Sequence, residues 1–315
     1  MNILLWHVHG SWTTAFVQGR HRYVVPVVAD RGPNGRGRAR TWDWPDTAVE
    51  ATPAELRKTD IDVVLLQRPE DEALAADWLG RRPGRDVPTI WLEHNAPQGR
   101  INELRHPAAD RHDLTVVHVT HFNALFWDCG TTPTRVIEHG IIDPGHRYTG
   151  ELERAVVAVN EPQRRARVAG TDLLAPLSRA VPLDVFGMSV SGLAAEHIDV
   201  FEDLPQNQLH RQMARRRVYL HPFRWTSLGL SLLEAMHLGM PVVALATTEA
   251  PEVVTPEAGV VSNRPDVLAD ALRRLAADPE EAHLLGKAAR EAALARFGLD
   301  RFLSDWDDVL TEVSS

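Results

Sequence analysis

The chain has 315 residues, of which 44% are hydrophobic and 24% are charged, and its formal net charge at pH 7 is −9. This composition is typical of a folded globular protein and excludes the disordered and fibrous classes. The length suits two domains of ordinary size, and the acidic balance argues against nucleic acid as a partner, because proteins that neutralise a phosphate backbone usually carry a basic excess.

Cysteine content and hydropathy bear on the compartment. The single cysteine, Cys129, cannot form an internal disulfide, and the first residues contain neither a basic leader nor a long apolar segment. No run approaches the roughly 20 apolar residues that span a bilayer. We therefore predict a cytoplasmic protein, which is compatible with peripheral membrane contact if its substrate is lipid-linked.

Short apolar runs alternate with helical patterns along the first half of the chain, which favours a parallel sheet. These predicted strands cover residues 3–6, 23–28, 63–66, 89–92 and 116–119. The first of them leads into a loop that contains Gly10 and Ser11. We predict that residues 1–150 form the first domain.

Residues 31–40 are rich in glycine and arginine and have no apolar periodicity, so we expect an exposed, mobile connector there. Two tryptophans, Trp42 and Trp44, follow it. Their rings could stack on a sugar, but tryptophans more often anchor a loop to the core.

A second series of apolar runs predicts a second sheet, in a domain over residues 151–297, with a linker near residues 143–154. The predicted strands cover residues 155–159, 183–187, 198–201, 217–220, 242–245 and 259–261. Residues 298–315 read as a terminal helix with Phe302, Trp306 and Leu310 on one face. The fold class is therefore α/β, with two Rossmann-like, doubly wound domains.

The most informative segment of the sequence is residues 221–244, which reads as a strand end, a turn, a helix and a second buried strand. The turn consists of Thr226, Ser227, Leu228 and Gly229. The free amides and positive dipole end of the helix that it opens suit a diphosphate. Glu234, about two turns further along, is placed to accept the hydroxyls of a ribose.

In these residues the chain resembles the retaining GT-B glycosyltransferases of family 4. The family signature has two glutamates separated by seven residues, with Glu-Ala-Met at the second and Gly-x-Pro-Val-Val after it. Glu234 matches the second glutamate, which holds the nucleotide ribose in the family, whereas the first position is Thr226, which carries no charge. The resemblance implies a GT-B fold, in which the two domains face each other across a cleft and the terminal helix crosses back to the first domain.

The resemblance also implies that cations neutralise the donor diphosphate. The family has an arginine and then Lys-Gly before a helix, but here Ala169 occupies the lysine position. Three arginines in the preceding loop, Arg164, Arg165 and Arg167, could supply the charge, since a guanidinium binds phosphate oxygens in a bidentate manner. The alternative is a merely solvated basic loop.

In the first domain, His94 matches the family histidine that lines the donor-sugar pocket, and Gly10 and Ser11 match the glycine-bearing loop near the leaving phosphate. His7 and His9 would lie at the same strand end, either in the site or as hydrogen-bonded scaffold. They do not form a convincing metal site. The sequence favours a core position for His118.

The resemblance implies a retaining, metal-independent transferase that moves a sugar from a nucleoside-diphosphate sugar to a small-molecule, glycan or lipid-linked acceptor. It requires no cofactor, since the nucleotide sugar is a substrate. Two alternatives remain: a nucleotide-sugar-binding protein without turnover, and a GT-B epimerase that acts on the donor. The sequence identifies neither the donor base and sugar nor the acceptor.

Overall fold

Parallel strands alternate with helices over much of the chain, and three consecutive helices follow the last strand. The computed structural model describes residues 1–314, which divide into two units: residues 1–140 together with the terminal helix, and residues 141–298. Each unit contains one sheet, in which all the strands are parallel.

The first unit contains a seven-stranded sheet with strand order β3-β2-β1-β4-β5-β6-β7. The order reverses between β1 and β4, where Ile3 pairs with Val63. The continuous apolar runs that predicted the central strands are explained by burial on both faces. The strands are β1 (Asn2–Leu5), β2 (Arg22–Pro26), β3 (Ala48–Ala51), β4 (Val63–Leu66), β5 (Thr89–Glu93), β6 (Thr115–His118) and β7 (Thr134–Val136).

The two outermost strands of this sheet, β3 and β7, were not among the predicted strands. Both are short, and neither is fully buried. An edge strand needs no continuous apolar run, so its sequence resembles that of a loop. The helices of this unit's first 140 residues are α1 (Gly10–Phe16), α2 (Pro53–Leu56), α3 (Pro69–Leu79) and α4 (His121–Phe126).

The second unit contains a six-stranded sheet with strand order β10-β9-β8-β11-β12-β13. The order reverses between β8 and β11, and every predicted strand of this series is present. The strands are β8 (Leu152–Ala158), β9 (Leu183–Gly187), β10 (Ile198–Glu202), β11 (Arg216–His221), β12 (Val242–Ala244) and β13 (Gly259–Val261). The helices are α5 (Pro162–Arg165), α6 (Thr171–Ser178), α7 (Gln206–Met213), α8 (Leu230–Leu238), α9 (Ala250–Val253), α10 (Pro265–Ala277) and α11 (Pro279–Phe297).

The division between the units lies at Gly140 and Ile141, ahead of the predicted end of the first domain at residue 150. The intervening segment is tied to the second unit by specific contacts. Ile141 donates its amide to Phe297, and Arg290 holds both carboxylate oxygens of Asp143 at 2.8 and 2.7 Å. The predicted linker is therefore an ordered part of the second unit.

The terminal helix, α12 (Leu299–Ser314), packs within the first unit. Its apolar face carries Phe302, Trp306 and Leu310, all almost completely buried. The Trp306 ring lies edge-on to Trp12 and Phe16, with centroid distances of 5.5 and 5.0 Å. Such aromatic contacts stabilise the association beyond the area they bury.

The loop over residues 31–40 is anchored, so the prediction of a mobile connector was wrong. Arg31 forms a bidentate ion pair with Glu50, with both distances 2.8 Å. Arg38 donates to the carbonyls of Ala48 and Trp44 at 2.7 Å. Two of the four arginines in this segment, Arg31 and Arg38, therefore fasten it to β3.

Candidate functional site

The predicted turn and helix of the second unit lie at the carboxyl end of β11, next to the position where the strand order reverses. Crevices of this kind are the usual ligand sites of doubly wound sheets. Residues 226–229 form the turn, and α8 begins at Leu230 with Gly229 as its N-cap. Because glycine has no side chain to cap the first turn, the helix amides are left for other acceptors.

A row of buried polar side chains lies next to this turn. The Tyr219 hydroxyl lies 2.9 Å from the Ser231 hydroxyl and 3.4 Å from Nδ1 of His221. Burial, reinforced by the positive charge of Arg165, lowers the pKa of His221 to about 3. His221 is therefore neutral at physiological pH, and it packs against Gly229.

Glu234 is buried within α8, with only 6% of its surface exposed. Its Oε1 accepts a hydrogen bond from the Gln206 side-chain amide at 3.1 Å. Its Oε2 lies 3.4 Å from Nε2 of His210, which is also buried. A carboxylate so deeply placed is not the ordinary surface residue that helix glutamates usually are.

The three arginines of the predicted cationic loop have different surroundings. Arg164 forms an ion pair with Glu161 at 2.5 Å, and Arg167 pairs with Asp172 at 2.9 Å. Both side chains are largely exposed, at 69% and 75%. Such exposed ion pairs contribute little to the stability of the fold, and these two side chains belong to a solvated surface.

Arg165 differs from its neighbours. Its guanidinium lies over the Phe223 ring, 5.2 Å from the centroid, and burial lowers its pKa. No carboxylate among residues 1–314 forms an ion pair with it. Phe223 lies two residues after the end of β11, so the guanidinium is close to the carboxyl end of that strand. Of the three arginines, Arg165 is therefore the one whose positive charge is not neutralised by a carboxylate within residues 1–314.

Thr226, at the position of the first family glutamate, is partly buried. Its hydroxyl oxygen is inaccessible and has no hydrogen-bond partner within the described part of the chain. Buried hydroxyls are usually paired, and an unpaired one marks a place where a ligand or water is expected.

In the first unit, His94 lies in a group of histidines at the carboxyl ends of β1 and β5. Its ring centroid is 3.9 Å from that of His9 and 6.3 Å from that of His139, and Trp12 meets it edge-on at 5.1 Å. Burial is the main cause of low pKa values in this group. It lowers the pKa of His9 to about 4 and of His139 to about 3, and it lowers that of His94 as well. All three are neutral near pH 7.

Gly10 and Ser11 form the start of α1, with His9 as the N-cap residue. The Trp42 ring covers the position that a side chain on Gly10 would take. The nearby Trp44 is buried and donates its indole N–H to Thr14 at 2.9 Å, so it anchors its loop. His7 contacts the Gly37 carbonyl at 3.2 Å.

Two residues near the end of β6 have structural surroundings. His118 is completely buried, as predicted, with Nε2 at 3.6 Å from the Cys129 sulfur. Thr120 caps α4, because its side chain accepts a hydrogen bond from the Asn123 amide.

Sequence reasoning missed Gln206, His210, His139 and Phe223. Gln206 and His210 lie on α7, and no motif marks them, because their relation to Glu234 depends on how α7 packs beside α8. His139 lies three residues after β7, a strand that the sequence analysis did not predict, so no pattern marked it. Phe223 directly follows a strand end, where ligand-facing residues are common.

Two further properties concern metals and membranes. Among residues 1–314, no group of three or more histidine, cysteine, aspartate or glutamate side chains is arranged to hold a metal ion. None of the helices in the described ranges combines the length and apolar character that crossing a membrane requires.

Comparison with known proteins bears on both units. Residues 189–292, which include the α8 turn and Glu234, match the family model described as glycosyl transferases group 1. No significant match exists among curated proteins.

Solved structures match over the whole length. Sucrose-phosphate synthase from Thermosynechococcus elongatus is 15% identical, with a TM-score of 0.77 and 99% of each chain covered. HepE from Anabaena in complex with UDP is 14% identical, with a TM-score of 0.69 and 99% of each chain covered. A glycosyltransferase from Rickettsia africae ESF-5 is 14% identical, with a TM-score of 0.67, and 99% of this chain and 97% of that chain are covered.

At these identities the structural matches show the fold alone, and the predicted GT-B fold is confirmed. The family match adds information about the candidate site, because it covers the segment that contains the turn and the buried glutamate. Residues 189–292 therefore resemble the glycosyl transferases group 1, and the chain as a whole has the GT-B fold.

Proposed function

We propose that the protein is a retaining glycosyltransferase that transfers a sugar from a nucleoside-diphosphate sugar to a hydroxyl acceptor without a metal ion. The observation that carries this proposal is the arrangement in the second unit. An uncapped helix N-terminus at Gly229, the cation of Arg165, which has no carboxylate partner among residues 1–314, and the buried carboxylate of Glu234 occur together around β11 and α8.

Each part of the donor has a group of suitable chemistry. The amides of the α8 turn and Arg165 would bind the diphosphate, because both supply positive potential in a partly desolvated place. Glu234 would accept the ribose hydroxyls. The roles of Arg164 and Arg167 are weaker than the sequence suggested, since each already has a carboxylate partner.

We propose UDP as the first nucleotide to test. HepE, which has the same fold, has been solved with UDP, with UDP and glucose, and with UDP-glucose. Those ligands belong to HepE, and for this chain they suggest only where to begin.

Departure of the sugar leaves negative charge on the β-phosphate, so cations already in place would stabilise the transition state. We propose a front-face reaction, in which the donor β-phosphate accepts the acceptor proton while the sugar–phosphate bond breaks. The anomeric configuration is then retained without a protein nucleophile.

Thr226 is relevant to which donor sugar the site accepts. A threonine in place of a glutamate offers one hydroxyl rather than a charged acceptor, and that hydroxyl is buried and lacks a partner among residues 1–314. We propose that it contacts the sugar and that a donor with fewer or differently oriented hydroxyls is accepted. Comparison of a hexose donor with its deoxy analogue tests this point.

The test of the proposal as a whole is a thermal-shift titration with UDP, GDP, ADP and TDP, each with and without EDTA. A ligand that binds only the folded state raises the melting temperature by mass action. We expect one nucleotide to give a clear shift that EDTA does not change. No shift with any nucleotide would contradict the donor site, and a shift that EDTA abolishes would contradict metal independence.

Turnover is tested separately, by incubating the matching nucleotide sugar with simple hydroxyl acceptors and following nucleotide release. Release that depends on the acceptor supports a transferase. Binding without release under all conditions would favour a non-catalytic nucleotide-sugar-binding protein, and conversion of the donor sugar without an acceptor would favour an epimerase.

A further inference from the structure

Glu234 has a second buried polar neighbour whose role neither the family match nor the sequence motif explains. This neighbour is His210, on α7. His210 is 6% exposed, as is Glu234, and its Nε2 lies 3.4 Å from Oε2 of the carboxylate.

The hydrogen bonds of this pair are incomplete. Oε1 of Glu234 accepts the Gln206 amide at 3.1 Å. By contrast, Nε2 of His210 is inaccessible and makes no hydrogen bond to any described residue, because its approach to Oε2 at 3.4 Å lacks hydrogen-bond geometry. Buried polar atoms are nearly always satisfied, so an unpaired nitrogen beside a buried carboxylate indicates a missing partner.

The chemistry of the two groups defines that partner. An imidazole that donates from Nε2 requires an acceptor, and a carboxylate oxygen requires a donor. One hydroxyl can be both, since its oxygen accepts from Nε2–H while its proton goes to Oε2. A phosphate would be repelled by the carboxylate, and an apolar group would leave both atoms unpaired.

We propose that His210 and Glu234 together recognise a ribose hydroxyl and that the pair makes the donor site select ribonucleotides over deoxyribonucleotides. This inference rests on the proposed nucleotide-sugar site and adds a specificity-determining residue to it. Gln206 is the positioning residue that holds Oε1, so that Oε2 is left for the ligand.

The selection has a physical basis. A deoxynucleotide removes the hydroxyl but leaves the buried imidazole and carboxylate in place, and neither gains a replacement partner from water when the nucleotide covers them. Sites built to bind a hydroxyl reject analogues that lack it much more strongly than apolar pockets reject a change of size. We therefore expect the ribonucleotide to bind at least about 30-fold more tightly than its 2′- or its 3′-deoxy analogue.

The experiment is isothermal titration calorimetry of the full chain with UDP, 2′-deoxy-UDP and 3′-deoxy-UDP, or with the same set built on adenine or guanine if ADP or GDP gave the larger thermal shift. The variants are His210→Phe, His210→Ala and His210→Gln. His197→Phe, which changes an exposed histidine of the same unit, is the matched control.

The readout is the affinity ratio between the ribonucleotide and its deoxy analogue. We expect the ratio to fall below about 3 in His210→Phe and His210→Ala, to be largely retained in His210→Gln, whose amide can donate, and to be unchanged in His197→Phe. A merely structural histidine would weaken both ligands equally and leave the ratio unchanged. Two apolar variants are made so that, if one of them fails to fold, the affinity ratio can still be measured with the other.

Two results would overturn the inference. One is a wild-type protein that binds UDP and both deoxy analogues with equal affinity, and the other is an apolar variant that keeps the wild-type ratio. Either leaves the proposed function standing, whereas absence of binding by every nucleotide refutes the proposed function itself. The inference also ranks TDP, a deoxynucleotide, below UDP in the thermal-shift series if the 2′ hydroxyl is the one that is recognised.

Discussion

His221 lies directly against Gly229. A Cβ atom built on Gly229 would come within 2.6 Å of Cε1 of the His221 ring, closer than real Cβ atoms approach other heavy atoms. The end of β11 and the start of α8 can therefore touch only because residue 229 has no side chain. In this protein the glycine of the turn is required by its contact with a buried histidine.

This contact predicts the effect of Gly229→Ala. We expect the methyl group to displace the turn, to destabilise the protein by about 1–3 kcal/mol, and to weaken nucleotide binding, because overpacked sites relax by shifting backbone. Thermal melts and calorimetric titration with UDP measure the two effects. Combining it with His221→Ala should recover part of the binding by making room, and no recovery would mean that the histidine is not the obstacle.

Glu234→Ala should weaken nucleotide binding by about 1.5–3 kcal/mol, the usual size of a hydrogen bond to a charged group. Calorimetric titration of the variant with UDP checks this value. The control is Glu257→Ala, which removes an exposed glutamate of the same unit and should change nothing. Equal affinities in wild type and Glu234→Ala would refute the ribose assignment.

Substitutions of the three arginines should differ in how much they weaken the binding of UDP relative to that of uridine. Arg165→Ala should weaken UDP binding by about tenfold or more, since charge-assisted bonds to phosphate contribute about 1.5–3 kcal/mol, while uridine binding should stay the same. Arg164→Ala and Arg167→Ala should have small effects, because both side chains are exposed and already paired. Larger losses from either of these than from Arg165→Ala would reverse the assignment.

Stability should fall in mildly acidic solution because several histidines are buried in the neutral form. Burial lowers the pKa of His118 from 6.5 to about 4, so the unfolded chain takes up a proton in this interval and the folded chain does not. The free energy of unfolding therefore falls as the pH falls from about 6.5 to about 4, by up to about 1.4 kcal/mol per pH unit for each such histidine.

Urea unfolding at pH 6.5, 5.5 and 4.5 measures this dependence. His118→Gln should reduce the slope by up to one proton, whereas between pH 7.5 and 8.5 the variant and wild type should have parallel profiles, since the imidazole is neutral in both states there. Identical slopes in the acidic range would show that His118 is not buried as a neutral group.

The terminal helix should be important for stability. Trp306→Ala removes a buried ring that contacts Trp12 and Phe16 and should cost about 3–5 kcal/mol, measured by thermal or urea unfolding. Glu312→Ala, on the same helix, breaks only an exposed ion pair with Arg135 and should cost at most about 1 kcal/mol. Similar effects of the two substitutions would contradict the packing of α12.

Local patterns predicted much of the fold. The central strands of both sheets are continuous apolar runs, such as Val63–Leu66, because burial on both faces demands apolar side chains at every position. The edge strands β3 and β7 were missed because exposure relaxes that demand. The loop over residues 31–40 was misread because the partners of its arginines, Glu50 among them, lie on a different element.

The sequence by itself determined the turn at residues 226–229, the helix that follows it and the place of Glu234, because these depend on hydrogen bonding and helical spacing within one short segment. Only the tertiary structure decided which of the three arginines is without a carboxylate partner in the described part of the chain, and that His210 lies beside Glu234. These relations join residues on separate helices and loops. They arise from the packing of α5, α7 and α8 around one sheet, and no local spacing encodes them.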